Sequence, residues 1–260
     1  MRPWSLPLLT DRDQIRQLLQ RDPVWAAYAL GDLGPELWPH TTWHRADHEL
    51  ALVLRSYSVA ILWASGTLEG LGEEIATEPR YSVQLRPSAL PELGKYFTTS
   101  HLKRMWRMTL DPREFCPATI GQMARLGAAD VGALERLYAD GAATGESPEF
   151  FFGSMVRDGV FFGARDGDEL TNVAGTHLVA AEEGVGEGVG AIGNVYTRQD
   201  RRGRGLAGGA TSAVVTELLR LGVTVIALNV YQSNAAAIQV YERLGFRRHC
   251  EFVEGIIERL

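Results

Sequence analysis

Apolar positions along this chain recur with two different periods, and the switches between them mark out its elements. Near the start, Ile15, Leu18 and Leu19 lie at helical spacing, with Thr10 and Asp13 offered as the cap. Residues 24–30 read as a second helix, ended by Gly31. The runs 49–54 and 58–63 are short and apolar, which suits strands, and residues 103–110 alternate. The first part therefore reads helix, helix, two strands, helix, strand, helix, strand. The second part is more regular. Val131, Leu134, Leu137 and Tyr138 share one face of a helix over 129–140. Residues 160–164, 173–180 and 189–197 read as strands, with a Gly- and Glu-rich turn over 182–188. Leu206, Ala210, Val214, Leu218 and Leu221 then mark a helical stripe closed by Gly222. A valine-rich strand over 223–231 and a helix over 234–244, ended by Gly245, complete the pattern. Strand, helix, strand, helix in succession predicts a parallel crossover within an α/β fold.

Composition adds a boundary. All six tryptophans precede residue 110, ten of the eleven prolines precede residue 118, and 22 of the 28 glycines follow residue 120. The stretch from Asp111 to Pro117 carries two prolines, so we place a domain boundary there, giving domains 1–115 and 116–260. The 260 residues are 45% apolar and 22% charged, as in ordinary globular proteins. A net charge of -6 argues against a nucleic-acid partner. No apolar run is long enough to span a bilayer, and the first seven residues do not read as a signal peptide. Cys116 and Cys250 form no framework, which fits a reduced, cytoplasmic setting.

The segment Arg201-Arg202-Gly203-Arg204-Gly205-Leu206-Ala207-Gly208-Gly209 sits between a strand and a helix. Glycines there let a ligand approach the backbone, and a helix N-terminus attracts anions. Arg198, Arg201, Arg202 and Arg204 place four cations in seven residues, which suits a polyanionic ligand. A plain solvated loop is the bland alternative. Gly203, Gly205 and Gly208 also match the dinucleotide fingerprint GxGxxG, but five polar residues, 198–202, separate them from the strand, and Asn229 stands where an acidic ribose ligand belongs. No Gly-Lys-Ser/Thr follows, which excludes a nucleotide-triphosphate loop.

Two motifs in order resolve the choice. Arg202-Gly203-Arg204-Gly205-Leu206-Ala207 resembles the Arg/Gln-x-x-Gly-x-Gly/Ala loop of the GNAT acyltransferase superfamily, and Asn194-Val195-Tyr196-Thr197 is similar to its fourth strand. Leu228 to Phe246 resembles its second motif: a strand, an asparagine, a helix with Ala-Ile-x-x-Tyr, then Leu-Gly-Phe. Gly193 to Thr197 and Leu228-Asn229-Val230 resemble the branch of glycine N-acyltransferase-like proteins, in which an N-terminal domain precedes the catalytic one. The resemblance covers residues 122–260. It implies a mixed α/β sheet with a GNAT-like fold in the C-terminal half, and an N-terminal α/β domain that is a degenerate second copy. Its equivalent loop, Ser65-Gly66-Thr67, lacks the arginine-glycine pattern, so no coenzyme A is expected there.

The resemblance further implies an N-acetyltransferase that uses acetyl-CoA and a small-molecule or peptide amine acceptor in a direct ternary complex, as a monomer or homodimer. The cofactor would be held by Val195, Tyr196 and Thr197 of the fourth strand. The loop residues Arg202, Gly203, Arg204, Gly205, Leu206, Ala207 and Gly208 would cradle its diphosphate, and Asn229, Asn234, Ala237 and Tyr241 would line the rest. An N–H near Val195 would serve a developing oxyanion. Tyr241 matches the tyrosine that protonates the leaving thiolate; a phenol of pKa about 10 holds its proton at neutral pH. Packing explains the residue as well, since Ala237, Tyr241 and Leu244 share a face. Asn234 doubles as a helix N-cap, and Asn229 doubles as a strand end. The general base stays open. The family's glutamate position falls on Ala191, leaving Glu187, Glu146, His177 or a water held by Asn194. The rival reading is a non-catalytic acyl-CoA-binding regulatory module.

Three other groups of residues could carry chemistry. His40, His44 and His48 recur every four residues, but Pro39 and the β-branched surroundings disfavour the helix a metal site needs. Cys250 has no evident base, so it is not a nucleophile. Phe150, Phe151, Phe152, Phe161 and Phe162 read as core, with some available to an acceptor pocket.

Overall fold

The computed structural model describes residues 8–47, 49–118, 121–142, 144–148, 151–180 and 188–260. The chain opens with helices α1 (Arg12–Leu19) and α2 (Ala27–Gly31), then strands β1 (Thr41–Ala46), β2 (Glu49–Leu54) and β3 (Ala60–Ala64). Helix α3 (Gly72–Ile75), strand β4 (Arg80–Leu85), helix α4 (Leu90–Leu93) and strand β5 (Lys103–Leu110) follow. After a two-residue strand β6 (Ala124–Arg125) come helices α5 (Val131–Ala142) and α6 (Gly153–Asp158). Next are β7 (Phe162–Asp166), β8 (Glu169–Ala180), β9 (Gly188–Thr197), α7 (Leu206–Arg220), β10 (Val223–Tyr231), α8 (Ala235–Arg243) and β11 (Arg247–Glu258).

The chain forms two compact units. The first comprises Met1–Arg107 together with Tyr231–Ser233 and Arg248–Leu260; the second comprises Met108–Val230 and Asn234–Arg247. In the first unit the strand order is β1-β2-β3-β4-β11, antiparallel except for the parallel pair β3/β4. In the second it is β6-β7-β8-β9-β10, antiparallel except for the parallel pair β9/β10. Each parallel pair is joined through a helix, α3 in the first unit and α7 in the second, as a parallel connection requires.

Local chemistry accounts for several departures from the sequence reading. Asp11, not Thr10 or Asp13, caps α1: its carboxylate accepts from the amides of Asp13 and Gln14, both at 3.0 Å. The second helix starts later than expected because the Asp22 carboxylate accepts from the Trp25 amide at 3.1 Å and turns the chain there. Strand β1 carries His44, and His40 ends a 3₁₀ turn, so the two do not share a helical face. Burial lowers the His44 pKa. His48 lies outside the described residues, as do Phe150, Glu187 and the glycine-rich turn before Gly188. Strand β11 has both Phe252 and Val253 buried, which breaks the alternation that would betray it. Helix α6 is six residues long, too short for a periodic signal.

Both units are built on buried apolar clusters. Val53, Leu62, Tyr81, Val83, Phe97 and Ile257 belong to the core of the first. Leu134, Leu137, Tyr138, Phe161, Val173 and Tyr196 belong to that of the second. Helix α7 lays Ala210, Val214 and Leu218 on the sheet as its stripe predicts. Gly190 makes that approach possible, because a Cβ there would stand 3.0 Å from Leu218. Leu221 lies past the last turn and is exposed, as is Phe152. Among the described residues no helix is long and apolar enough to cross a membrane.

Candidate active site

The site begins where two parallel strands part. Strands β9 and β10 are paired from Gly188/Val223 to Ile192/Leu228 and no further. Beyond that point β9 keeps its bonds to β8 on the other side, with Tyr196 opposite Val173 and Thr197 opposite Asn172. Its inner edge over residues 193–197 is thus released from β10. The cause is local. Asn194 adopts a left-handed backbone, φ 53°, and the β8/β9 register slips between Val173 and Gly175. An extra residue in one strand bends it and increases its twist. The buried Tyr138 hydroxyl donates to the Asn194 carbonyl at 3.0 Å and fixes the bulge.

Polar atoms without partners collect along the released edges. Asn194 Oδ1 and Thr197 Oγ1 on β9, and Asn229 Oδ1 on β10, are buried and accept or donate nothing among the described residues. Buried polar atoms in such numbers on one gap are uncommon unless a ligand pairs with them. Val195 and Thr197, the residues expected to meet the cofactor, are half-buried, while Tyr196 turns into the core.

The glycine loop lies at the end of β9. Gly203 and Gly205 have φ of 74° and 77°, conformations open to glycine, and Gly205 is the N-cap of α7. With glycine in the cap position, no side chain caps the first turn. The amides of residues 203–208 donate to no acceptor among the described residues. Residues 203–205 are exposed. Free amides at a helix N-terminus form an anion site.

The arginines are less free than their number suggests. Arg198 pairs with Asp200 and Glu169, and Arg201 with Asp166 and Asp200. Arg202 makes a two-pronged pair with Glu146, 2.7 and 3.1 Å, and donates to the Thr197 carbonyl at 3.1 Å. Its guanidinium also lies over Tyr196, 5.7 Å from the ring centre. Arg204 alone of the four has an exposed side chain with no partner among the described residues. The loop therefore offers main-chain donors and one spare cation.

On α8, Tyr241 is buried and stacked edge-on to Phe246 at 6.0 Å. Its hydroxyl has no hydrogen-bond partner among the described residues. Burial pushes its pKa up to about 12. Asn234 accepts from the Ala237 amide at 3.0 Å, so its cap role is realised and Ala237 is engaged through its backbone.

The candidate bases divide sharply. Ala191 is buried and inert. Hydrogen bonds from Arg202 and Thr144 hold the Glu146 carboxyl below its usual pKa, which makes it a weaker base. The His177 ring lies on the backbone of Gly193, so close that a Cβ there would meet its Nε2 at 2.2 Å. That places an imidazole beside the first unpaired residue of β9. Asn194 gives its amide to Met155 Sδ at 3.6 Å.

Two supports of this site are missed by sequence reasoning. Tyr138 reads only as core, although a tyrosine in a leucine stripe signals a hydroxyl with a task. Asp140 accepts from the Tyr196 hydroxyl at 2.8 Å and from the Gln199 amide at 3.1 Å, tying α5 to the loop. Cys116 is exposed and Cys250 half-buried, and both are free thiols.

Comparison with known proteins fits this geometry. Residues 131–246 match the acetyltransferase (GNAT) family. The matched segment, a little under half of the chain, contains the parted strands, the glycine loop and Tyr241. A 92-residue stretch is 39% identical to mycothiol acetyltransferase of Geodermatophilus obscurus, covering 34% of this chain and 29% of that relative's length. Among solved structures, a putative GNAT-family acetyltransferase from Novosphingobium aromaticivorans matches 92% of this chain and 97% of its own at 20% identity, with a TM-score of 0.61. A GCN5-related N-acetyltransferase from Kribbella flavida covers 91% and 94% at 18% identity, TM-score 0.61. A tandem GNAT protein from the clavulanic acid biosynthesis pathway covers 98% of both chains at 13% identity, TM-score 0.58. At such identities the likeness is one of fold: a mixed α/β GNAT fold, shared here over nearly the whole chain.

Proposed function

We propose that this protein is an N-acetyltransferase that carries an acetyl group from acetyl-CoA to a primary amine in a direct ternary complex. The observation that carries the reading is the set of uncommitted amides at residues 203–208 beside the gap between β9 and β10. The residues present fit the cofactor. The loop amides and Arg204 suit a diphosphate, and the unpartnered atoms of Thr197, Asn229 and Asn194 suit the amides of a pantetheine arm. Acetyl-CoA would supply the reaction's electrophile, a thioester carbonyl.

The chain's own groups do the rest. The released backbone of β9 near Val195 presents donors to a carbonyl oxygen as charge develops on it. Tyr241 holds its proton at any neutral pH and delivers it to a thiolate as that anion leaves. Arg202 positions the loop by clamping Thr197 and Glu146. His177, beside Gly193, is the candidate to take the proton from the acceptor's ammonium so that the free amine can attack. The domain that performs this chemistry is 116–260. Residues 1–115 are read as a degenerate tandem copy, which the matching strand directions of the two units support. In that copy the Glu49 carboxylate occupies the loop: a Cβ on Gly66 would lie 2.1 Å from its oxygen. A negative charge there repels a diphosphate. We further propose a cytoplasmic monomer or homodimer.

The test is release of free thiol from acetyl-CoA with a panel of amino acids, polyamines, aminoglycosides and peptide N-termini. Turnover with one class supports the enzyme. Tight acetyl-CoA binding without turnover on any amine favours the regulatory module instead.

A further inference from the structure

A buried amide side chain grips the start of α7. Asn172 of β8 is wholly buried, and both polar ends of its side chain have partners. Its place follows from an irregularity in the sheet. Ala164 stands opposite Asn172 and Arg165 opposite Leu170, so Thr171 is an extra residue on β8. Such an insertion disrupts the ladder locally. Here side chains repair it. The Thr171 hydroxyl donates to the Ala164 carbonyl at 3.1 Å, and Asn172 Oδ1 accepts from the Ala164 amide at 3.2 Å. With Oδ1 turned to that N–H, Nδ2 is the end that faces away. It donates to the Leu206 carbonyl at 3.0 Å and reaches Met123 Sδ at 3.8 Å.

Leu206 is the first residue of α7 and directly follows the left-handed Gly205. Its carbonyl and the amide of Ala207 belong to one planar peptide unit. The two point opposite ways along the helix, the carbonyl toward the C-terminus and the N–H toward the glycine loop. A bond on the carbonyl therefore fixes where the Ala207 N–H points. A carbonyl oxygen has two lone pairs, so this bond adds to the one the helix itself supplies. The turn needs such a hold. Gly203 and Gly205, with φ of 74° and 77°, lead into it, and no side chain caps it. An uncapped first turn after such a loop frays unless another group steadies it. An ordinary cap would take the very amides that a diphosphate must meet. Asn172 holds the turn from its carbonyl side and leaves the amide side open.

We propose that Asn172 is a positioning residue for the cofactor: by gripping the Leu206 carbonyl it keeps the Ala207 N–H turned toward the diphosphate site. The proposal rests on the reading of residues 203–208 as that site. Repair of the β7/β8 ladder alone would need only Oδ1. Nδ2 does nothing for that pair of strands and is spent on the helix. The backbone of Asn172 also stands opposite Thr197, on the stretch of β9 released from β10. One residue of β8 is thus in register with the open strand edge and bonded to the helix start. The effect of Nδ2 is selective. A ligand that uses the loop feels its loss, and a ligand that uses only the gap between the strands does not.

The experiment sets two ligands against the natural protein and a variant. Coenzyme A is titrated by calorimetry. Pantetheine, which lacks the diphosphate and the nucleotide, is titrated by NMR amide shifts. Asn172→Leu keeps the size of the side chain and adds no charge. It is expected to weaken coenzyme A about tenfold, the effect of losing one hydrogen bond to a charged group, and to leave pantetheine within about twofold. Near-UV circular dichroism checks that the variant is folded. Because Asn172→Leu also strips the Ala164 amide of its partner, it is backed by Asn172→Thr, whose hydroxyl stays on the strand beside that amide; the same split between the ligands is expected there. Unchanged affinity for coenzyme A in a folded variant overturns the proposal and leaves the reading of the loop standing. An equal loss for both ligands overturns it too, since that is the mark of a general structural role. Failure of coenzyme A to bind the natural protein overturns the reading of the loop, and the role of Asn172 falls with it.

Discussion

Single residues carry the sharpest expectations. Tyr241 combines burial, an unbonded hydroxyl and a pKa near 12, which suits a proton donor and is unsuited to a base. Tyr241→Phe keeps the ring against Phe246 and removes only the proton. It is expected to lower kcat by roughly 10²–10⁴-fold, the usual range for a general acid, while the acetyl-CoA Kd by calorimetry stays within about twofold. An unchanged kcat removes Tyr241 from the mechanism. Asp32 leads to a stability prediction. Its folded pKa is raised to about 7 from the ordinary value of 3.8. Below pH 4 the carboxyl is protonated in both states and contributes nothing. Between pH 4 and 7 the unfolded chain gives up the proton while the folded one keeps it, so a penalty grows with pH and is complete above 7. Asp32→Asn removes that penalty, raising unfolding free energy at pH 8 by on the order of 2–4 kcal/mol, with no gain at pH 4. Urea melts at the two pH values check this, and an equal effect at both contradicts it. Tyr241 is legible from its motif; Asp32 is not, because one aspartate just past Gly31 has no spacing that marks it.

At the scale of elements, the glycine loop and the bulge act together. The loop is legible because glycines and arginines in that density have few other uses. The ion pairs of Arg198, Arg201 and Arg202 are not, since their partners Glu169, Asp166 and Glu146 come from distant elements. The gap between β9 and β10 is marked by no motif of its own in the sequence. Its local signal is the Gly193-Asn194 pair inside a strand, the residue types that bulges favour. Gly205 tests the loop. A Cβ at φ 77° costs about 1–2 kcal/mol, and relieving it turns the first amides of α7 away. Gly205→Ala is expected to weaken acetyl-CoA binding about tenfold, equivalent to about 1.4 kcal/mol, while circular dichroism shows the helices kept. Full affinity in that variant shows that the amides are not the diphosphate site.

Across the whole molecule, the order of elements along the chain does not follow the two units. The proline-marked stretch 111–117 reads as a boundary in the sequence, whereas the first unit combines Met1–Arg107 with Tyr231–Ser233 and Arg248–Leu260. Composition gives no hint that Arg248–Leu260 returns to it, because its neighbours Phe252 and Val253 are both buried while most of the strand is not, which leaves no alternation to read. The return matters for folding. β11 pairs with β4 through six residues, from Val253/Leu85 to Glu258/Arg80. It also supplies Phe252 to Trp25 and Ile257 to the core. A fragment of residues 1–115 therefore exposes the edge of β4 and lacks Phe252, Val253 and Ile257, each worth about 1.5–3 kcal/mol when buried. That loss is of the order of a whole domain's stability. The fragment is expected to be unfolded or aggregated. The same fragment with residues 247–260 appended through a flexible linker is expected to regain dispersed NMR signals and a cooperative melt. A stable, cooperative fold in residues 1–115 alone shows that β11 is dispensable to the first unit.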